Sequence, residues 1–139
     1  MESQIHLTDL PLDPSGIHQY LSTPASGGIV VFTGTVRDHN QDLRVIRLEF
    51  EAYEPMAIKE MERLAQVCSE QWPCHRIAIH HRLGVLGVGE IPVVIGVSTA
   101  HRQEAFAACQ FLIDALKVHV PIWKKEVFTD GSQWVSAHP

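Results

Sequence analysis

A proline inside the most apolar stretch of the last third constrains what this chain can fold into. In ALKVHVPIWKKE, residues 115–126, Pro121 cannot continue a helix, because it has no amide hydrogen and its ring clashes with the preceding turn. The helical pattern before it starts near His101 and carries Ala105, Phe106, Cys109, Leu112, Ile113 and Leu116 on one stripe. That helix must therefore end near His119. The segment beyond, IWKKEVF, reads as a strand, folded against QWVS by a turn at Asp130-Gly131. The same stretch holds three of the four lysines in the sequence, Lys117, Lys124 and Lys125. Lys124 and Lys125 are neighbours in a strand and point to opposite faces, so whichever face is inward takes a lysine with it. An ammonium removed from water is costly unless it is paired. The reversal at Pro121 can bring Lys117 and Lys124 to one site, suited to an anionic ligand, a carbonyl to be activated or a carboxylate tail. The plainer readings stand beside this one: Lys117 complementing the helix dipole, and lysine stems snorkelling to the surface.

The rest of the chain alternates short strands with amphipathic helices. A strand is expected at residues 4–8, then a helix with Asp13 as N-cap and Pro14 at its first position, ending near Leu21. GGIVVFTGTVR reads as a buried strand and DHNQD as a polar loop. VIRLEFEAY alternates Ile46, Leu48, Phe50 and Ala52 against Arg47, Glu49 and Glu51, as a half-exposed strand does. A second helix is expected from about Pro55 to Gln71, with Ala57, Ile58, Met61, Leu64, Ala65 and Cys68 at helical spacing. RIAIHHRL and IPVVIGVST are two further strands joined by the glycine-rich GVLGVG. The order predicts an α+β fold: a mainly antiparallel sheet with three packed helices. The 139 residues fit a single domain, 1–139.

Composition removes several function classes. A net charge of −5 argues against non-specific nucleic-acid binding, which needs a basic surface. No apolar run approaches the ~20 residues that cross a bilayer, and MESQIHLTDL lacks the basic and apolar regions of a signal peptide. Three cysteines without a CxxC suggest neither a disulfide framework nor a zinc site, and a reducing, cytoplasmic location is expected. His75, His80 and His81 are close in sequence, but strand neighbours face opposite ways and no matching ligand set follows, so no metal is expected. GVLGVG lacks the spacing and the following helix of a dinucleotide motif.

Two further places carry candidate anion-binding groups. In VSTAHRQEA a strand ends and a helix begins at His101-Arg102. Free amides at a helix start attract anions, whereas a cation there opposes the dipole. A basic pair is explained by a bound anion such as phosphate, or by an exposed arginine paired to a nearby glutamate. In FTGTVRDHN, Gly34 interrupts a buried strand, as bulges and close approaches do, and Arg37 emerges at its end, as a ligand or as a solvated charge. Among the cysteines, Cys109 belongs to the core stripe, and Cys74, beside His75, is the better candidate nucleophile.

FTGTVRDHN, YEPMA, HRLGVLGVGE, STAHRQEAF and LKVHVPIWKKE occur in an order and spacing that resemble the large, catalytic subunit of molybdopterin synthase, over almost the whole chain. The resemblance implies an α/β-hammerhead-like arrangement and a specific reaction. Cyclic pyranopterin monophosphate is converted to molybdopterin with sulfur from a thiocarboxylate on the C-terminal Gly-Gly of a small ubiquitin-like subunit. It implies a homodimer of large subunits within a heterotetramer, and no metal or organic cofactor for the transfer. It places Lys117 and Lys124 closest to the chemistry and Arg37, His101 and Arg102 at substrate-binding positions, with Lys125 and Glu126 extending the pocket. A non-catalytic module that docks a Gly-Gly tail or a phosphorylated ligand is the alternative of a different class, and a cysteine-persulfide enzyme using Cys74 is a third.

Overall fold

The computed structural model describes every residue, Met1–Pro139. Its elements, in chain order, are β1 (Glu2–Thr8), α1 (Pro14–Leu21), β2 (Gly28–Gly34), β3 (His39–Asn40), β4 (Leu43–Ala52), α2 (Glu54–Gln71), β5 (Cys74–Arg82), β6 (Gly84–Gly87), β7 (Val93–Thr99), α3 (Arg102–His119), β8 (Ile122–Phe128) and β9 (Gln133–Ser136). They form two sheets, one ordered β1-β5-β7-β2 and the other β3-β4-β8-β9 with β6 also on β4. All pairings are antiparallel except β1 with β5, where Ile5 faces Ile79 and His6 faces His80. The α+β class with three helices and a mainly antiparallel pairing is therefore what the periodicities predicted.

The first sheet is covered on both faces, which is why β5 and β7 read as continuous apolar runs. Ile77, Ile79, Ile95 and Val97 turn to one side, against Ala57, Met61, Leu64 and Cys68 of α2 and Ala108, Leu112 and Leu116 of α3. Ala78 and Val94 turn to the other, against Ile17 and Leu21 of α1. Each fully buried Leu or Ile in these layers is worth ~1.5–3 kcal/mol relative to an exposed one. Asp13 takes the N-cap position of α1 with extended dihedrals and Pro14 follows it, although the Asp13 side chain makes no capping hydrogen bond. At the other end of the chain, α3 stops as Pro121 demands: the Val120 amide donates to Leu116 O at 3.1 Å and the chain turns into β8.

Several details depart from the sequence reading. DHNQD is not a loop: His39–Asn40 pairs with Leu43 and Arg44 as a tight hairpin, turned at Gln41 with φ 55°. GVLGVG is more than a connection, since β6 pairs with Arg47–Phe50 of β4 and ties the two sheets together. Alternation on β4 breaks at Ile46. The β4–β8 ladder is irregular between Val45 and Arg47, so Val45 is buried while Ile46 is 45% exposed. Phe106, placed on the core stripe of α3, is 62% exposed; Ala108 takes the inward position instead. Gly34 produces no bulge, because β2 pairs with β7 in unbroken register. It does mark a close approach, as a Cβ there would sit 2.7 Å from Val93 Cγ1. Gly27 marks a tighter one: a Cβ would meet the Ala100 carbonyl oxygen at 2.3 Å, just before the start of α3.

Candidate active site

The end of β2, the C-terminal end of α3 and the paired strands β4 and β8 converge on a cavity of about 180 Å³. Its apolar wall is Phe32, Val45, Leu48, Phe50, Ile113 and Leu116. Its polar groups come from separate elements: Arg37 from the segment after β2, His81 from β5, Lys117 from α3, and Lys124 and Glu126 from β8. Strand parity explains the last two. Ile122, Lys124 and Glu126 alternate on the inward face of β8, where Ile122 is fully buried and Glu126 is 7% exposed.

The cavity is crowded with positive charge. Lys124 Nζ lies 3.7 Å from Glu126 Oε1, and the Asn40 amide donates to both Glu126 oxygens at 3.2 and 3.3 Å. Glu126 is thus the one acidic side chain among three cations, and it is already engaged; the terminal residue Pro139 also borders the cavity. Lys117 is exposed as a residue but borders the cavity, and its ammonium donates to Pro139 O at 3.4 Å. Burial, followed by the neighbouring Lys124 and Arg37 charges, lowers its pKa. Arg37 forms no ion pair within the chain. An arriving anion would relieve all three cations at once. So the arrangement can hold an anionic tail or phosphate, place an ammonium beside a carbonyl, and let a lysine give up a proton at reduced cost.

His81 belongs to this cavity and was not among the residues singled out as functional. Its ring is almost wholly buried, packs edge-on to Phe50 with centroids 5.1 Å apart, and donates from Nδ1 to Arg82 O at 2.9 Å. Burial brings its pKa down to about 4. A signal was present in the sequence: Ile77, Ile79 and His81 share one strand face, so an imidazole stands where the pattern asks for an apolar residue. Asn40 carries no such signal, since DHNQD reads as a polar loop and the Asn40 bond to Glu126 is long-range.

Other sequence candidates lie elsewhere. Lys125 points away from the cavity, as strand parity requires, with its Nζ 3.7 Å from Glu49 Oε1. His101 and Arg102 line a separate shallow hollow with Gln103 and Phe106. Arg102 and Lys117 sit at opposite ends of α3; fifteen residues at 1.5 Å each separate them by about 22 Å. One chain therefore does not bring both to a small ligand. His80 faces the opposite side of β5 from His81, stacked on His6 with centroids 4.5 Å apart. No cluster of three or more His, Cys, Asp or Glu side chains has metal-binding geometry. All three cysteines are buried and none lines the cavity. Burial pushes the Cys109 thiol up to about 11, while the Cys74 thiol is lowered chiefly by a hydrogen bond from Cys68.

Comparison with known proteins gives a consistent picture. The family profile described as MoaE protein matches residues 7–119. The chain is 44% identical over 138 residues to a Nostoc protein named molybdopterin synthase catalytic subunit, covering 98% of this chain and 84% of that one. The crystal structure of molybdopterin synthase from Staphylococcus aureus superposes with a TM-score of 0.89 at 35% identity, covering 95% of this chain and 96% of its own. A Helicobacter pylori chain, from a complex of subunits 1 and 2 of molybdopterin-converting factor, shares the fold with a TM-score of 0.76 at 19% identity, over 99% of this chain and 93% of that one.

Proposed function

The chain belongs to the MoaE protein family, and we propose from that membership and from its cavity that it is the catalytic subunit of a molybdopterin synthase. In this reading it is a sulfurtransferase of molybdenum cofactor biosynthesis, with residues 1–139 acting as one catalytic domain. A small ubiquitin-like subunit presents its C-terminal Gly-Gly as a thiocarboxylate, and the sulfur passes to cyclic pyranopterin monophosphate to build the dithiolene. The observation that carries the reading is the convergence of Lys117 and Lys124, from α3 and β8, with Arg37 in one cavity. Both reactants are anions, and the cavity sets three cationic side chains against a single acidic one. An ammonium at the tail carbonyl stabilises the oxyanion that develops during acyl transfer and holds donor and acceptor in line. Glu126 and Asn40 hold Lys124 in place. Lys125, paired with Glu49 on the outer face, serves the margin of the site rather than its floor.

His101 and Arg102 enter this scheme through a second copy. At about 22 Å from Lys117 along α3, they reach a small substrate only if another chain lays its helix start against this cavity. That requirement supports a homodimer of catalytic subunits, each also binding one small subunit. A partner of that kind agrees with the two-subunit complex reported for the Helicobacter pylori relative in fold. Cytoplasmic location belongs to the same proposal, supported by three unpaired cysteines. No helix is long and apolar enough to cross a membrane.

Reconstitution tests the reading. The chain, a thiocarboxylated small subunit and the cyclic pterin should yield dithiolene product in single turnover. A module that only docks the tail would bind the small subunit and make no product.

A further inference from the structure

Sulfur transfer from a thiocarboxylate leaves a chemical task that the cations of the cavity do not perform. When the thiocarboxylate sulfur bonds to a substrate carbon, the donor tail and the substrate become joined as a thioester. Water must then add to the acyl carbon. A C–O bond forms, the C–S bond breaks with its electron pair going to sulfur, and the tail leaves as a carboxylate. One proton of the water has to be taken up as it attacks and returned to the departing sulfur, and the other passes from the new carboxyl to solvent. Arg37 and Lys124 enter this step as donors, and the Lys117 ammonium is engaged with Pro139 O at 3.4 Å. Glu126 accepts from Asn40 and lies against Lys124, so its oxygens are occupied. His39, on the outer rim, is bonded to Asp38 at 2.6 Å and turned to solvent.

That leaves one free acceptor ring. A carbonyl oxygen can only accept, so the 2.9 Å contact of His81 Nδ1 with Arg82 O fixes the proton on Nδ1 and leaves Nε2 with a bare lone pair. Nε2 has no hydrogen-bond partner in the protein, and the ring lines the cavity. Edge-on packing against Phe50 holds its plane. We propose that His81 is the residue that receives the proton of the attacking water, so that the acyl–sulfur bond is hydrolysed and the donor tail released. This inference rests on the sulfur-transfer reading above and adds a step and a residue to it. The charges facing the ring are those of Arg37 on the segment after β2, Lys117 on α3, and Lys124 and Glu126 on β8. The cations oppose an imidazolium, and the pKa of about 4 reflects burial and the Lys117 charge. Two bound anions offset those cations and make the ring a better base at the moment it is needed.

The test is a substitution that keeps the anchor and removes the base. His81→Asn retains a side-chain amide able to donate to Arg82 O and lacks the far nitrogen. Mixed with thiocarboxylated small subunit and cyclic pterin, it should form the joined tail–substrate adduct, seen by intact mass, and release it at least about a hundredfold more slowly than wild type. His81→Gln, which restores a polar atom near the Nε2 position, should release it faster than His81→Asn. Wild-type turnover in His81→Asn overturns the proposal, as does loss of activity before any adduct forms. Should the Asn variant not fold, ¹⁵N-histidine NMR of the wild-type chain decides: an Nε2–H tautomer overturns the assignment, and a bare Nε2 whose signal moves when the pterin binds upholds it. A wild-type chain that makes no product from the same reagents overturns sulfur transfer itself and this step with it. That result is distinct from an active wild type with an unimpaired Asn variant.

Discussion

Replacing Lys117 and Lys124 by alanine, singly and together, separates catalysis from stability at the same two positions. If both ammonium groups serve one tail carbonyl, each single variant should lose ~10²–10³ in single-turnover rate, as removal of one oxyanion donor does. The double variant should be hardly worse than either single one; independent action would multiply the losses to ~10⁴–10⁶. The two substitutions should differ in stability. Lys124 is 24% and Glu126 10% exposed in their side chains, and they face each other at 3.7 Å. Their gross attraction at an effective dielectric of 20 is about 4 kcal/mol. Desolvation cancels much of that, and Asn40 stays on Glu126, so Lys124→Ala should cost about 1–3 kcal/mol. Lys117 has no acidic side chain beside it, is crowded by like charges and makes only an exposed contact with the terminal Pro139 O, so Lys117→Ala should change stability by less than about 1 kcal/mol. Preformed thiocarboxylate in a rapid-quench assay measures the first quantity and thermal unfolding the second. Near wild-type turnover in both single variants, or a double-variant loss equal to the product of the single losses, would refute the shared-carbonyl argument. Lys124→Arg should not restore activity, since a planar fork cannot replace a compact ammonium there or readily lose a proton.

Arg37→Ala and Arg102→Ala should each weaken pterin binding about ten- to a hundredfold with little change in stability. Mixing Arg102→Ala chains with Lys117→Ala chains should recover activity through the one intact site of each mixed dimer; titration and light scattering check both statements, and a mixture as inactive as its parents counts against a shared site. A folded variant with Cys68, Cys74 and Cys109 all changed to serine should keep most of its turnover, because none of the three lines the cavity; loss of transfer in Cys74→Ser alone would restore the persulfide route. Stability should fall as pH drops from about 6.5 to 4. His80 and His81 both have folded pKa values lowered to about 4, so in that window the unfolded chain binds more protons and acid favours unfolding. Unchanged melting between pH 7 and 4.5 would show that these rings are not held neutral by the fold.

Much of this structure was legible before any coordinates. Helix stripes, the stop at Pro121, the hairpin at Asp130-Gly131 and the lysines converging behind it follow from local rules about period, ring closure and desolvation. The misreadings share a cause, which is that pairing is not local. Nothing within GVLGVG announces that β4 has an edge waiting for it, and nothing within DHNQD shows that Asn40 will lie against Glu126, eighty-six residues away. Phe106 was included because a broad apolar stripe fits both 105 and 106, and only the packed sheet shows that 105 and 108 turn inward while 106 does not. At the site, charge pattern was enough to find Arg37, Lys117 and Lys124. The sequence also put His101 and Arg102 at the start of the helix whose last turn carries Lys117, but it could not show that only the last turn meets the cavity.

The irregularity at Ile46 has a consequence for how the cavity is encoded. Val45, Leu48 and Phe50 all face it, yet 45 and 48 are an odd number of residues apart, and a regular strand would send them to opposite sides. The extra residue acts as a phase shifter that puts both halves of β4 in step on one wall. Shortening the strand by that one residue would leave most backbone rungs able to form, but either Val45, with the hairpin bearing Asn40, or the pair Leu48 and Phe50 would face away. In the first case Glu126 loses its amide partner, and in the second the cavity loses its apolar floor. Part of the site is thus written as a count of residues, a quantity that no single side-chain substitution changes.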